Sequence, residues 1–238
     1  MRKCGWRFAE SLERCHWFYI WVRDSPTQIK TIQVFTRFSP RYVHPIEESN
    51  RYTVRRIAPP EQQEVLLGVA HVPSKLRFSD QSQVLECVKL AQMIQRAEQK
   101  EGHYRTVLVG DFNMNPFEAG VVGTGALNAT MTRSRARMGA RKVQGESYDF
   151  FYDPMWGHFG DRDDRPAGTY YYPHSEHVVY FWNMFDQVMV RPSLIERLDI
   201  DRIRIVDRIG SVSLLSKDGT PDQTVASDHL PLTFTLRL

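Results

Sequence analysis

Hydrophobic residues along this chain come mostly in short runs between polar turns, the pattern of strands, and only once at sustained helical spacing. The runs EVLLGVAHV (64–72) and TVLVG (106–110) have the length and β-branching of buried strands. Upstream, IKTIQVFTRF from Ile29 alternates in part, and RYTVRRIA from Arg51 sets β-formers between charges. Strand signals return at GTYYY from Gly168, FDQVMVRP from Phe185, DRIRIVDRI from Asp201 and LPLTFTLRL from Leu230. One helix is clear. Asp80 is placed to cap it, with Gln83 three residues on; Val84, Val88, Ala91 and Ile94 follow at helical spacing, and Gly102 ends it.

Two stretches depart from this pattern. The first 25 residues are rich in aromatics (Trp6, Phe8, Trp17, Phe18, Tyr19, Trp21) and read as a short helix leading into a strand. The middle, Gly120 to Pro166, reads as an insertion or long loop. It contains TRSRARMGARK, with Arg133, Arg135, Arg137, Arg141 and Lys142 and no acid. No repeat, low-complexity linker or shift in composition divides the chain, so residues 1–238 are expected to form one mixed α/β domain in which strands dominate.

Composition narrows the class. At 238 residues, 42% hydrophobic and 25% charged, the chain can bury one sizeable core and is neither disordered nor fibrous. A net charge of +3 permits a phosphate-bearing partner without requiring one. Cys4, Cys15 and Cys87 form no C-x-x-C pair and leave one over, which argues against a disulfide scaffold and for a reducing, cytoplasmic setting. No apolar stretch approaches the roughly 18 residues of a membrane span.

The polar residues that interrupt the strands carry the chemistry. LLGVA ends at His71, VLVG at Asp111 and Asn113; FDQVMV opens with Asp186, and SDH (Ser227, Asp228, His229) precedes the last strand. Each alone reads equally as a turn former or a solvated group. Together they put carboxylates, imidazoles and a carboxamide at sheet margins, where a sandwich clusters its loops. The aromatic stretch GTYYYPHSEH could stack a base or a sugar, but alternate strand residues point inward and favour core packing. His174 and His177 have loose metal spacing, with nothing else to support a zinc site.

GDFNMNP, then Asp186 opening DQVMV, then SDHLPL, in that order, closely resembles the endonuclease/exonuclease/phosphatase superfamily, whose members include pancreatic-type deoxyribonucleases. The resemblance runs from about Ile32 to Leu238 and implies a four-layer α/β sandwich, with two packed mixed β-sheets flanked by helices. It implies divalent-metal-assisted hydrolysis of phosphoesters, and the leading expectation is a nuclease that cleaves phosphodiesters of nucleic acid. By resemblance, Asp111 orients and deprotonates the attacking water or helps hold the metal, and Asn113 donates to a phosphoryl oxygen. His229 contacts the phosphate as a cation, Asp186 accepts its other ring N–H, and Asp228 is the metal-side carboxylate. His71 matches a position on the phosphate or leaving-group side. So oxygen-rich a set prefers Mg²⁺, with Mn²⁺ as a substitute.

One part of the family pattern is not visible. Members carry an early strand ending in Asn and another ending in a metal-binding Glu, and here Glu10 and Glu13 are the only early candidates. The expectation is a domain truncated at its N-terminus, with a sheet edge that a homodimer would pair. The Arg-rich segment Arg133–Lys142 is a candidate phosphate-tracking loop or a solvated surface. Two alternatives stay open: a phosphoesterase for small molecules or lipid headgroups, and a catalytically degraded member that binds nucleic acid or a protein partner.

Overall fold

The apolar runs Val65–His71 and Thr106–Asp111 are buried along their whole length and lie side by side, in parallel, at the centre of a seven-stranded sheet. The order across it is Val43–Glu48, Tyr52–Ile57, Val65–His71, Thr106–Asp111, Asp186–Val190, Phe151–Tyr152, Ala129–Thr130. The structure, a computed structural model, describes residues 4–8, 18–22, 32–36, 39–161, 165–175 and 177–238. Successive strand residues point to opposite faces, so each central strand serves two cores. Leu66, Ala70, Leu108 and Met189 pack with Leu90 and Ile94 of the helix Asp80–Glu101. Leu67, Val69, Val107, Val109, Val188 and Val190 pack with Leu198, Leu232 and Phe234 of a second sheet. Each such apolar side chain removed from water contributes about 1.5–3 kcal/mol.

The helix crosses between the two parallel strands, as the apolar periodicity predicts. Its N-cap is Ser79 rather than Asp80: the Ser79 side chain accepts from the Ser82 backbone N–H at 3.3 Å. Gly102 closes it at φ 70°, a left-handed conformation that glycine adopts without steric penalty. Near this end a buried ion pair fastens helix to sheet. Arg191 Nε and Nη2 donate to the two oxygens of Glu98 at 2.8 and 3.0 Å, and Thr106 Oγ1 donates to the same carboxylate.

The second sheet is five-stranded, ordered Leu198–Ile205, Leu232–Leu236, Cys4–Phe8, Phe18–Val22, Ile32–Thr36. Cys4–Phe8 runs parallel to Leu232–Leu236 and antiparallel to Phe18–Val22. Ile32–Thr36 pairs on one side with Phe18–Val22 and forms one edge of this sheet, with Leu198–Ile205 at the other. Phe18–Val22 is the strand expected after the aromatic helix, whereas the candidate helix itself, with Glu10, Glu13 and Cys15, lies outside the described residues. The middle region is more structured than a long loop. It supplies Ala129–Thr130 and Phe151–Tyr152 to the large sheet, and a hairpin of Ala140–Val143 with Glu146–Asp149. Cys87 is a buried free thiol, and no helix among the described residues is long and apolar enough to cross a membrane.

Candidate active site

Strand register assembles the site. His71 is the last residue of its strand and pairs with Asp111, the last of the next, while Asp111 pairs across the antiparallel ladder with Asp186, the first residue of the third. Cross-strand partners share a face. His71, Asp111 and Asp186 therefore form one row at one end of the seven-stranded sheet, on the side facing the second sheet. His229 reaches the same place from that second sheet, three residues before Leu232–Leu236. Ligand atoms of Asp111, Asp186 and His229 all lie within 4.8 Å of one another.

Local sequence holds the row in place. Gly110 sits at φ 148° with the Ala70 carbonyl so close that an added Cβ would lie 1.9 Å from its oxygen, so a residue with a side chain would force the two strands apart. After Asp111 the chain turns through Asn113 at φ 49°, a region asparagine enters more readily than most residues. Asn113 N–H donates to Asp111 Oδ1 at 2.8 Å, and its side-chain amide donates to Asp111 Oδ2 at 3.0 Å and to the Val72 carbonyl at 2.9 Å. Both amide hydrogens of Asn113 thus serve to orient Asp111 and to tie its loop to the one after His71. Donation to a phosphoryl oxygen would require one of these bonds to exchange.

His71 Nε2 is 3.7 Å from Asp111 Oδ2. Asp186 is fully buried; its backbone N–H donates to Thr169 Oγ1 at 3.1 Å, and its Oδ2 is 2.7 Å from His229 Nδ1. Burial opposes the cationic form of His229, but the surrounding carboxylates of Asp186, Asp111 and Asp228 outweigh it, together with the hydrogen bond to Asp186. They push the imidazole pKa up to about 9. At neutral pH the ring is a cation with Nδ1–H directed to Asp186. Asp228, buried beside it, completes an electrostatically negative pocket around that cation.

Several positioning residues were not legible in the sequence. Gln83, read as half of a capping box, instead buries its amide beneath the site. Its Nε2 donates to the Pro73 carbonyl at 2.8 Å and to the Asn113 carbonyl at 3.1 Å, clamping the loops after His71 and Asp111. Asn115 donates to Asn183 Oδ1 at 2.9 Å and accepts from Met184 N–H at 2.8 Å, joining the Asp111 loop to the approach to Asp186. Thr169 holds Asp186 through its hydroxyl and accepts Leu230 N–H at 2.8 Å on its carbonyl, binding the segments of Asp186 and His229 together. The available signal was a polar residue on the apolar face of the helix, in the case of Gln83.

The Arg-rich segment lies elsewhere. Tyr152 pairs with Val190, at the opposite end of the strand that begins with Asp186, about 14 Å away at roughly 3.4 Å per residue. Arg137 Nε bonds Glu196 at 3.1 Å, Arg141 bonds Asn128 Oδ1 at 2.6 Å and the Val122 carbonyl at 3.0 Å, and Arg133 Nε is 3.5 Å from the Tyr152 hydroxyl. Arg135 and Lys142 are exposed.

No protein-family model matches the chain, and no curated protein matches it. Among solved structures it is similar to ANGEL2, a 2',3'-cyclic phosphatase, with a TM-score of 0.51 and 14% identity, over 91% of this chain and 72% of that one. The complex of ANGEL2 with adenosine-2',3'-vanadate gives a TM-score of 0.50 at 14% identity, over 91% and 73% of the two chains. The 3' phosphatase NExo from Neisseria, bound to a product DNA hairpin, gives 0.45 at 14% identity, over 87% and 75%. At such identities the likeness is one of fold: the chain has a deoxyribonuclease-I-like α/β sandwich, as ANGEL2 does.

Proposed function

We propose that the protein is a metal-assisted phosphoester hydrolase, with nucleic acid or a nucleotide as its substrate class. The observation that supports this best is the convergence of Asp111, Asp186 and His229, one cation among carboxylates, at the end of the sandwich. In-line attack on a phosphoester builds negative charge on the non-bridging oxygens, and an imidazolium held by a buried carboxylate complements that charge without reorganising. His229 would offer the N–H of its second ring nitrogen to such an oxygen. Asp186 holds the ring in that orientation and keeps it protonated. Asp111, both of whose oxygens are oriented by Asn113, would align the attacking water and take its proton.

The buried carboxylates of Asp111, Asp186 and Asp228 suit a hard divalent cation. Asp228 and Asp111 would hold Mg²⁺ or Mn²⁺, which would supply Lewis-acid neutralisation of the phosphoryl oxygens. His71 would stand beside the phosphate next to Asp111. The fold shared with ANGEL2, a 2',3'-cyclic phosphatase, agrees with phosphoester chemistry. The test is hydrolysis of bis(p-nitrophenyl) phosphate with Mg²⁺, with Mn²⁺ and with chelator. Turnover that is lost in chelator and restored by either ion is expected; turnover indifferent to chelator rules out the metal-assisted scheme. The cytoplasmic setting stays part of this proposal, on the unpaired cysteine count.

A further inference from the structure

The stretch TYYYPH places rings at every second position, Tyr170, Tyr172 and His174, and in an extended segment those three share one face. The segment is anchored at the site. Tyr170–Tyr171 forms a two-stranded ribbon with Trp182–Asn183, extended by a bond from Tyr172 N–H to the Phe181 carbonyl at 2.8 Å. Its base is Thr169, which holds both the Asp186 and the His229 segments.

The rings form a row leading away from the catalytic imidazole. The Tyr170 centroid is 4.7 Å from that of His229, and Phe185 stacks on Tyr170 at 5.2 Å with 19° between planes. Tyr172 follows at 6.3 Å and 24°, then His174 stacks on Tyr172 at 4.5 Å and 15°. Core packing, the role favoured by alternation alone, would bury these rings as it buries Phe112, Phe151 and Phe234. Instead Tyr170 and Tyr172 are half-buried and His174 is exposed. Tyr172 and His174 at 4.5 Å, and Tyr170 and Phe185 at 5.2 Å, each cover one face of the other. A nucleobase would therefore stack on the outer, solvent-facing side of this partly wet run, where aromatic rings offer contact area with little side-chain entropy to lose.

Resting on the phosphoesterase reading, we propose that Tyr170, Tyr172 and His174 form a stacking subsite for a nucleobase attached to the phosphate that His229 contacts. The substrates are then base-bearing phosphoesters rather than lipid headgroups or bare sugar phosphates. Stacking reads a π-face and not a hydrogen-bonding edge, so discrimination among bases is weak.

Isothermal titration of the full chain with AMP and with ribose 5-phosphate tests this, because the two share phosphate and sugar and differ in the base. AMP should bind about tenfold or more tightly. His174→Ala and Tyr172→Ala should each narrow that gap and leave ribose 5-phosphate unchanged, whereas Tyr172→Phe should preserve it. The exposed His174 position keeps the test valid if Tyr172→Ala folds poorly. Equal affinities for the two ligands in the unaltered protein, or variants that weaken both alike, would overturn the subsite. The comparison reads binding alone, so absence of hydrolysis in Mg²⁺ counts against the phosphoesterase reading and not against the subsite.

Discussion

His229 Nδ1 lies 2.7 Å from Asp186 Oδ2, and through this contact the two sheets of the sandwich meet at the candidate site. Asp186 opens a strand of the larger sheet, and His229 stands just before the last strand of the smaller. The contact has a protonation consequence. Burial disfavours the cation, the three neighbouring carboxylates overcome that, and the pKa rises from 6.5 to about 9. A raised histidine pKa stabilises the fold fully below about 6.5, and that contribution is lost as pH climbs through about 9. Asp186→Asn removes one of the anions, so the His229 midpoint should move to lower pH. NMR titration of the ring resonances in the metal-free protein reads the midpoint directly, and an unmoved value would mean that Asp186 does not hold the charge.

Asp111 is bound by Asn113 through both oxygens and is the proposed base. Asp111→Ala should lower kcat for a phosphodiester by about 100- to 1000-fold, the usual loss for one group of a preorganised site. Circular dichroism of the variant separates this from unfolding. A loss under tenfold in a folded variant would remove Asp111 from the reaction.

The Glu98–Arg191 pair is enclosed, with Glu98 fully buried and the Arg191 guanidinium 4.0 Å over the Phe151 ring. Glu98→Gln strands a buried cation and should destabilise the fold by about 3–5 kcal/mol, read as a lower urea midpoint. Replacing both partners, Glu98→Leu with Arg191→Met, should recover most of that loss. If the double variant is no better than the single one, desolvated charge is not what makes Glu98→Gln costly.

Asp153 is wholly buried, and its Oδ1 accepts Met155 N–H at 2.8 Å. Burial raises its pKa from 3.8 to about 7, against the opposing effect of that bond. Between these values the folded state holds a proton that the unfolded state has released, so this residue makes stability fall as pH rises from about 4 to 7. Asp153→Asn keeps the cap and should flatten that slope. Thermal melts at a series of pH values would show it; parallel curves for the two proteins would count against a buried, protonated Asp153.

Arg137 and Arg141 of the Arg-rich segment are engaged by protein partners, and the segment sits by the Val190 end of the sheet. Replacing Arg135 and Lys142 by glutamine should leave hydrolysis of a small phosphodiester unchanged. For a nucleic acid, a fall of about 2 in the salt-dependence slope would place the backbone across these residues, whereas an unchanged slope, the expected result, marks them as solvated surface.

Local order was legible in the sequence because side-chain periodicity is a local property. The strand runs around Val65–His71, Thr106–Asp111 and Asp186–Val190, the helix from Asp80 to Gly102, and the polar residues His71, Asp111, Asn113, Asp186, Asp228 and His229 at their ends could all be read directly. Register could not. That His71, Asp111 and Asp186 form one row, and that His229 meets it from the other sheet, depends on pairings between residues far apart in the chain. For the same reason Gln83 reads as a helix cap until two distant loops supply better acceptors, and Arg133–Lys142 reads as a basic patch until the sheet order carries it to the far end. The period of Tyr170, Tyr172 and His174 is in the sequence, but whether their shared face is covered or left to solvent was decided by what the folded chain packs against it.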